Sequence, residues 1–183
     1  RSEEEAQELR RSLAHARRDA EIDYLTGLPN RRAFEALLEQ HYADARDTGE
    51  PLCVAFCDID EFKRINDSHG HEAGDRVIKA IADTLAHISD DRCHVARHGG
   101  EEFVMLFRGL TPAEAVIRLD DAREELANRR LINRKTDKPF GQITFSGGVA
   151  DVFGHEDARG ALKAADEALY RAKQGGRNRI ELA

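Results

Sequence analysis

The order of elements readable in this chain predicts an α/β domain of the α+β kind. It should have a ferredoxin-like central antiparallel sheet flanked by helices, with one further helix in front of it. Three observations support this. Two runs of consecutive apolar residues, 52–57 and 103–107, read as strands buried on both faces. Four segments with apolar residues three and four apart read as amphipathic helices. Their order (strand, helix, strand, strand, helix, strand) is that of the split βαβ unit.

Residues 1–22 are rich in Glu, Arg, Ala and Leu and contain no Gly or Pro. Leu9, Leu13, Ala16, Ala20 and Asp23 form a thin seam that ends in a charge, so the segment reads as a helix too polar to stand alone. It suits the end of a parallel coiled coil or a solvated helix continuing from an upstream domain, a connector in either case. The domain proper is expected at 23–183. The break at Thr26-Gly27-Leu28-Pro29-Asn30 is followed by a helix with Asn30 as N-cap and Phe34, Leu37, Leu38, His41, Tyr42 and Ala45 on one face. After the strand at 52–57 comes a polar loop, 61–75, containing Gly70 and Gly74. A second helix then runs through Val77, Ile81 and Leu85. A short strand at 93–97 and the strand at 103–107 are joined at Gly99-Gly100, where both central residues can take positive φ in a tight hairpin. Thr111-Pro112 opens a third helix. A strand holding Ile143, Phe145 and Val149 follows, then a fourth helix ending before Gly175-Gly176. A short strand at 179–182 ends the chain.

With 183 residues and 40% hydrophobic content, a wholly disordered chain is excluded, and one domain plus an appendage is expected. The 28 Lys and Arg against 35 Asp and Glu give a net charge of −7, which lacks the basic field of a nucleic-acid binder. A nucleotide could still be held locally, through a metal or a few cations. No apolar run approaches membrane-spanning length and no signal-peptide pattern is present, so a cytoplasmic segment without membrane contact is expected. The chain opens inside a charged stretch, which suggests a piece of something longer. Cys53, Cys57 and Cys93 read as reduced core thiols; a zinc site would need more ligands at better spacing.

The acids carry the chemistry. The strand at 52–57 ends in Asp58-Ile59-Asp60, and the strand at 103–107 begins with Glu101-Glu102. In a ferredoxin-like sheet these strands are antiparallel neighbours, so Asp58 and Glu101 should meet at one sheet edge. Carboxylates held together cannot all stay ionised without a cation, and Mg²⁺ or Mn²⁺ suits oxygen ligands shared with phosphate. The alternative is solvated turn residues. In the loop, Lys63 could neutralise phosphate, and amides near Phe62 could form an anion nest. Asn66 and Asp75 offer the polar atoms that would read guanine, or serve as turn and cap residues. Lys173 and Arg177 bracket Gly175-Gly176 as phosphate contacts, or simply as cations at a helix C-terminus.

Five stretches then match a known family: Asp23–Arg32, Asp58–Asp67, Gly70–Asp75, Arg97–Phe103 and Ala172–Asn178. The sequence closely resembles the GGDEF domain of bacterial diguanylate cyclases, in the GGEEF variant, from residue 23 to the end. The resemblance implies a nucleotidyl-cyclase-like fold and condensation of two GTP into cyclic di-GMP with release of two pyrophosphates. The enzyme would be a homodimer assembled through the N-terminal helix and the catalytic face, driven by an upstream sensory domain. It implies that Asp58, the Ile59 carbonyl and Glu101 hold Mg²⁺ or Mn²⁺, two ions per half-site. Asn66, His71 and Asp75 would line the nucleotide site, with Gly99 and Gly100 alongside. Phe62, Lys63, Lys173 and Arg177 would face the phosphates, Lys63 also offsetting transition-state charge. Glu101 or Glu102 would help deprotonate the 3′-hydroxyl.

Two departures stand out. His98 occupies a position where Tyr or Phe is common, and a tolerated change is expected. An Arg-x-x-Asp product-inhibition motif is replaced by Asp90-Asp91-Arg92-Cys93, so no high-affinity inhibition through that position is expected. The rival reading is an inactive GGDEF domain that binds GTP or a dinucleotide as a regulator, against which the intact Gly99–Phe103 stretch argues. A third is a cyclase for a hybrid dinucleotide, for which Asp75 is the residue to examine.

Overall fold

The computed structural model describes residues 2–183. Its centre is a five-stranded sheet in the order β2-β3-β1-β6-β7, from β1 (Leu52–Ile59), β2 (Cys93–Gly99), β3 (Glu102–Arg108), β6 (Phe145–Asp151) and β7 (Ile180–Leu182). β1 is antiparallel to both β3 and β6, and β2 to β3; only β7 adds in parallel. The first four strands therefore form the expected ferredoxin-like order.

Both sheet faces are covered, which is why β1 is a continuous apolar run. On one face α4 (His71–His87) and α5 (Pro112–Asn128) pack Val77, Ile81, Leu85, Leu119 and Leu126 against Ala55, Met105 and Phe145. On the other, α2 (Arg31–Thr48) and α6 (Ala158–Gln174) pack Phe34, Leu38, Ala165 and Leu169 against Val54, Phe56 and Leu106. The caps follow the sequence. The Asn30 side chain accepts from the Ala33 amide, and Thr111 and Glu114 form a reciprocal capping box behind Pro112. The three cysteines are buried and free, and burial pushes the Cys53 and Cys93 thiols up to about 12.

Three expectations are corrected. The polar loop at 61–75 is instead helix α3 (Phe62–His69) followed directly by the start of α4, with Gly70 at φ 89° between them. α3 buries only Ile65, so it carries no apolar stripe for periodicity to detect. Asn66 and Asp75 thus lie on facing helices. The hairpin turn is also displaced by one residue. Gly99 pairs with Glu102, a bulge falls between Arg97 and Gly99, and Gly100 alone takes positive φ, at 50°. Glu101 therefore sits at the tip. Finally, a two-stranded hairpin, β4 (Ile132–Asn133) with β5 (Lys138–Pro139), stands where no element was expected; two-residue strands leave no alternation to read.

Helix α1 (Ser2–Glu21) buries none of its residues, and Leu9 and Leu13 are 61% and 51% exposed. Among the described residues no helix is long and apolar enough to cross a membrane.

Candidate functional site

The site is built where β1 runs out beside the tip of the β2–β3 hairpin. Strand register sets Asp58 opposite Glu102 on one side and Ser146 on the other. One step on, the Ile59 amide donates to the Glu101 carbonyl at 3.3 Å. Asp58, Ile59, Glu101 and Glu102 are therefore brought together as expected, with Glu102 directly across from Asp58.

Asp58 is partly buried, and its Oδ1 is shielded from solvent without a hydrogen-bond donor. The Lys173 ammonium, from the last turn of α6, stands 3.1 Å from that oxygen as an ion-pair partner outside hydrogen-bonding geometry. Burial pushes the Asp58 carboxyl up to about 6; Lys173 opposes the rise, and Glu101 and Glu102 add to it. Burial together with Asp166 and Glu101 also raises Glu102. A half-buried carboxylate that stays raised among like charges even with one ammonium beside it is a position that favours a further cation. Among the described residues no group of three or more His, Cys, Asp or Glu side chains could hold a metal. With the expected set of Asp58, Glu101 and the Ile59 carbonyl, the remaining ligands of an ion would have to come from substrate or water. That donor set fits Mg²⁺ or Mn²⁺, which keep open positions for phosphate oxygens.

Asp60 lives differently, and sequence reasoning assigned it no role. It is 6% exposed. Its Oδ2 accepts from the Thr144 hydroxyl (2.7 Å) and the Asn178 amide (3.0 Å), and its Oδ1 from the Ser146 hydroxyl (2.7 Å). It thereby pins the turn after α6, where Arg177 and Asn178 take left-handed φ of 65° and 48°. Arg123 holds the same turn through the Asn178 side chain at 2.8 Å. Asp60 is a positioning residue for Lys173 and Arg177. The second acid of the Asp-x-Asp pair was its only sequence signal, because its partners lie 84 to 118 positions away.

A second group forms where α3 crosses α4. A Cβ at Gly74 would lie 1.9 Å from Asn66 Oδ1 and 3.1 Å from the Phe62 ring, so only glycine allows this approach. Asn66 Oδ1 is buried and lacks a partner, which leaves an acceptor for a ligand N–H. Glu61 takes left-handed φ just before α3 and makes no side-chain cap, leaving the first amides of the helix for an anion. Lys63, His71, Asp75 and Arg177 are exposed, and their side chains make no hydrogen bond or ion pair among the described residues.

Arg97 ties the hairpin to the N-terminal turn, a link sequence reasoning also missed. Its Nη1 donates to both Asp23 carboxylate oxygens (3.1 and 3.2 Å), while Nε and Nη2 donate to the Gly100 carbonyl (3.0 and 2.8 Å). Burial alone would raise Asp23, but hydrogen bonds from Thr26 and Arg97 outweigh it and hold the carboxyl below its usual range. His98 sets its ring edge-on to Phe56 at 4.8 Å, a role an aromatic ring would fill. At the position of the missing inhibition motif, Asp90 is paired with Arg118 at 3.2 Å.

Comparison with known proteins agrees with this geometry. The family pattern described as "Diguanylate cyclase, GGDEF domain" matches residues 20–179. Diguanylate cyclase DgcP of Pseudomonas aeruginosa is 40% identical over 99% of this chain, and diguanylate cyclase DosC of Escherichia coli 33% identical over 91%. The chain spans only 26% and 36% of those two relatives. Among solved structures, the coiled coil and GGDEF domain of DgcB from Caulobacter crescentus, in complex with c-di-GMP, superposes over 100% of this chain and 95% of its own. Its TM-score is 0.94 at 38% identity. The active GGEEF domain of a diguanylate cyclase from Vibrio cholerae superposes over 84% of this chain and 96% of its own, with a TM-score of 0.76 at 30% identity. With five motifs, the sheet order and these likenesses in agreement, the chain belongs to the GGDEF-domain family of diguanylate cyclases.

Proposed function

We propose that this chain condenses two GTP into cyclic di-GMP and two pyrophosphates as a homodimer, each subunit holding one GTP. It would be the cytoplasmic output domain of a longer signalling protein. The observation that supports this best is the acid cluster of Asp58, Glu101 and Glu102 beside Lys173. Residues 23–183 are the catalytic domain in this reading, and 1–22 the connector.

Asp58, the Ile59 carbonyl and Glu101 would hold Mg²⁺ or Mn²⁺, two ions per half-site with the nucleotide completing the ligands. A bound ion would neutralise phosphate charge and acidify a hydroxyl. Asn66 and Asp75 bind the guanine edge, Asp75 accepting from N1–H and the 2-amino group, and His71 lines the same pocket. Phe62 and Lys63 at the start of α3, with Lys173 and Arg177 at the end of α6, hold the phosphates. Gly99 and Gly100 keep the hairpin tip clear for the nucleotide. Glu101 or Glu102 takes the 3′-hydroxyl proton, and burial together with Asp166 and Glu101 raises the Glu102 carboxyl. Each 3′-hydroxyl attacks the other subunit's α-phosphate, so pairing through α1 and the catalytic face supplies the proximity that a monomer lacks. No tight product inhibition is expected at Asp90–Cys93, where Asp90 is already engaged by Arg118.

The test is incubation of a dimeric sample with GTP and Mg²⁺, followed by product identification. Cyclic di-GMP formation that falls on dilution is the expected result. No product from a demonstrably dimeric sample would favour a GTP-binding regulator.

A further inference from the structure

Away from the acid cluster, one stretch of the chain concentrates positive charge. Five cations and one carboxylate fall between positions 129 and 138, a local net charge of +4 in a chain of −7. This stretch leads from α5 into the β4–β5 hairpin and faces α4 across a cavity of about 680 Å³. Arg76 and Lys79 from α4 and Arg129, Arg130 and Arg134 from the opposite wall all line it. Asp83 and Asp137 line it too, and Lys135 beside it pairs with Glu72, yet none of the five lining cations Arg76, Lys79, Arg129, Arg130 and Arg134 forms an ion pair among the described residues.

Two of these side chains stand in contrasting surroundings. Arg129 Nη1 is held by neutral acceptors, the Ala80 carbonyl at 3.1 Å and the Thr84 hydroxyl at 3.0 Å. Arg76 Nη1 is shielded from solvent and has no acceptor at all. A guanidinium nitrogen deprived of both water and an acceptor is costly, and an anion bound beside that side chain offsets the cost. The remaining wall is apolar: Val77, Leu131, Ile132 and Phe140. Phe140 is steadied edge-on by the His69 ring at 4.8 Å, and Ile132 is 53% exposed.

We propose that this cavity is a second binding site, for a small phosphate-bearing ligand of nucleotide type. Its phosphates would meet the arginines, and its base would lie on the apolar wall. Arginine clusters match phosphate oxygens in bidentate geometry, and an apolar wall has no use for a bare anion. The concave shape and volume suit a small molecule rather than a flat lipid surface or a nucleic-acid duplex. The site shares none of its lining with the acid cluster and does not depend on the cyclase reading.

The test uses the whole chain in chelator without metal, with ATP and inorganic pyrophosphate as probes; ATP lacks the guanine edge expected at the other site. Titration followed by amide and guanidinium NMR should give saturable shifts at residues 76–83 and 129–140, with ATP binding several-fold tighter than pyrophosphate. The variant Arg130→Glu/Arg134→Glu, at two exposed positions, should weaken ATP at least tenfold. Shifts confined to the Asp58 region, or failure to saturate, would overturn the site. Equal affinity for pyrophosphate and ATP would overturn the nucleotide class. Because both probes are read by binding, an inactive cyclase would leave the result interpretable.

Discussion

Asp58 and Asp60 stand two positions apart at the end of one strand and live under opposite conditions. Every oxygen of Asp60 is answered by a hydroxyl or an amide, and it is almost fully buried. Among the described residues Asp58 has only the Lys173 ammonium, 3.1 Å from its shielded oxygen, is raised toward neutrality by burial, and shares its surroundings with two glutamates. A satisfied carboxylate fixes structure, whereas an unsatisfied one costs folding energy and waits for a ligand. On the proposed reading, the pair separates the residue that holds the site from the residue that would use it.

The widest break in that contrast is Asp58→Asn. It is expected to cut cyclic di-GMP formation by roughly 100-fold or more. Its melting temperature without metal should equal or exceed that of the parent, because a buried charge among acids has gone. Lost stability would show that Asp58 is structural after all. Asp60→Ala should do the reverse, destabilising the fold by about 3 kcal/mol through the donors it orphans. Residual activity should show a raised KM for GTP as the Arg177 turn loosens. Denaturant melts and kinetics at saturating GTP separate the two effects.

A smaller effect is expected from pH. With Asp58 at about 6 in the fold and near 3.8 when unfolded, the native chain holds a proton that the unfolded chain has lost between those values. Metal-free stability should therefore rise as pH falls from about 6 toward 4 and be lost again as pH climbs back through 6. The raised Glu102 adds in the same direction. Asp58→Asn should flatten most of this slope, and an unchanged slope would place the titration elsewhere. The finest probe is Lys173→Met. Removing the nearby ammonium should move the Asp58 midpoint further up, as read by carboxyl NMR.

How much of this was legible in sequence depends on the range of the interaction. The apolar runs at 52–57 and 103–107, the cap at Asn30 and the helix start at Thr111-Pro112 are local, and they matched the structure. The sheet order followed from element order. What escaped was either too polar or too distant. α3 buries a single side chain, so its eight residues read as loop. The turn shifted by one residue because of a bulge that two glycines do not announce. The partners of Asp60 and the Arg97–Asp23 link lie many tens of residues apart, and nothing along the chain marks them. Gly74 was read as a loop glycine, but its role is steric, making room for Asn66.

Lys173 has one more consequence. Because an ammonium already lies against Asp58, no cation arrives at an empty well. If Asp58 holds a metal ion as proposed, binding would be an exchange that displaces the lysine and, below about pH 6, a proton as well. A dissociation constant measured for such an ion is therefore a ratio of two occupancies, and it will drift with pH. On the proposed reading, the displacement that would admit a metal would also free the Lys173 ammonium for the phosphates.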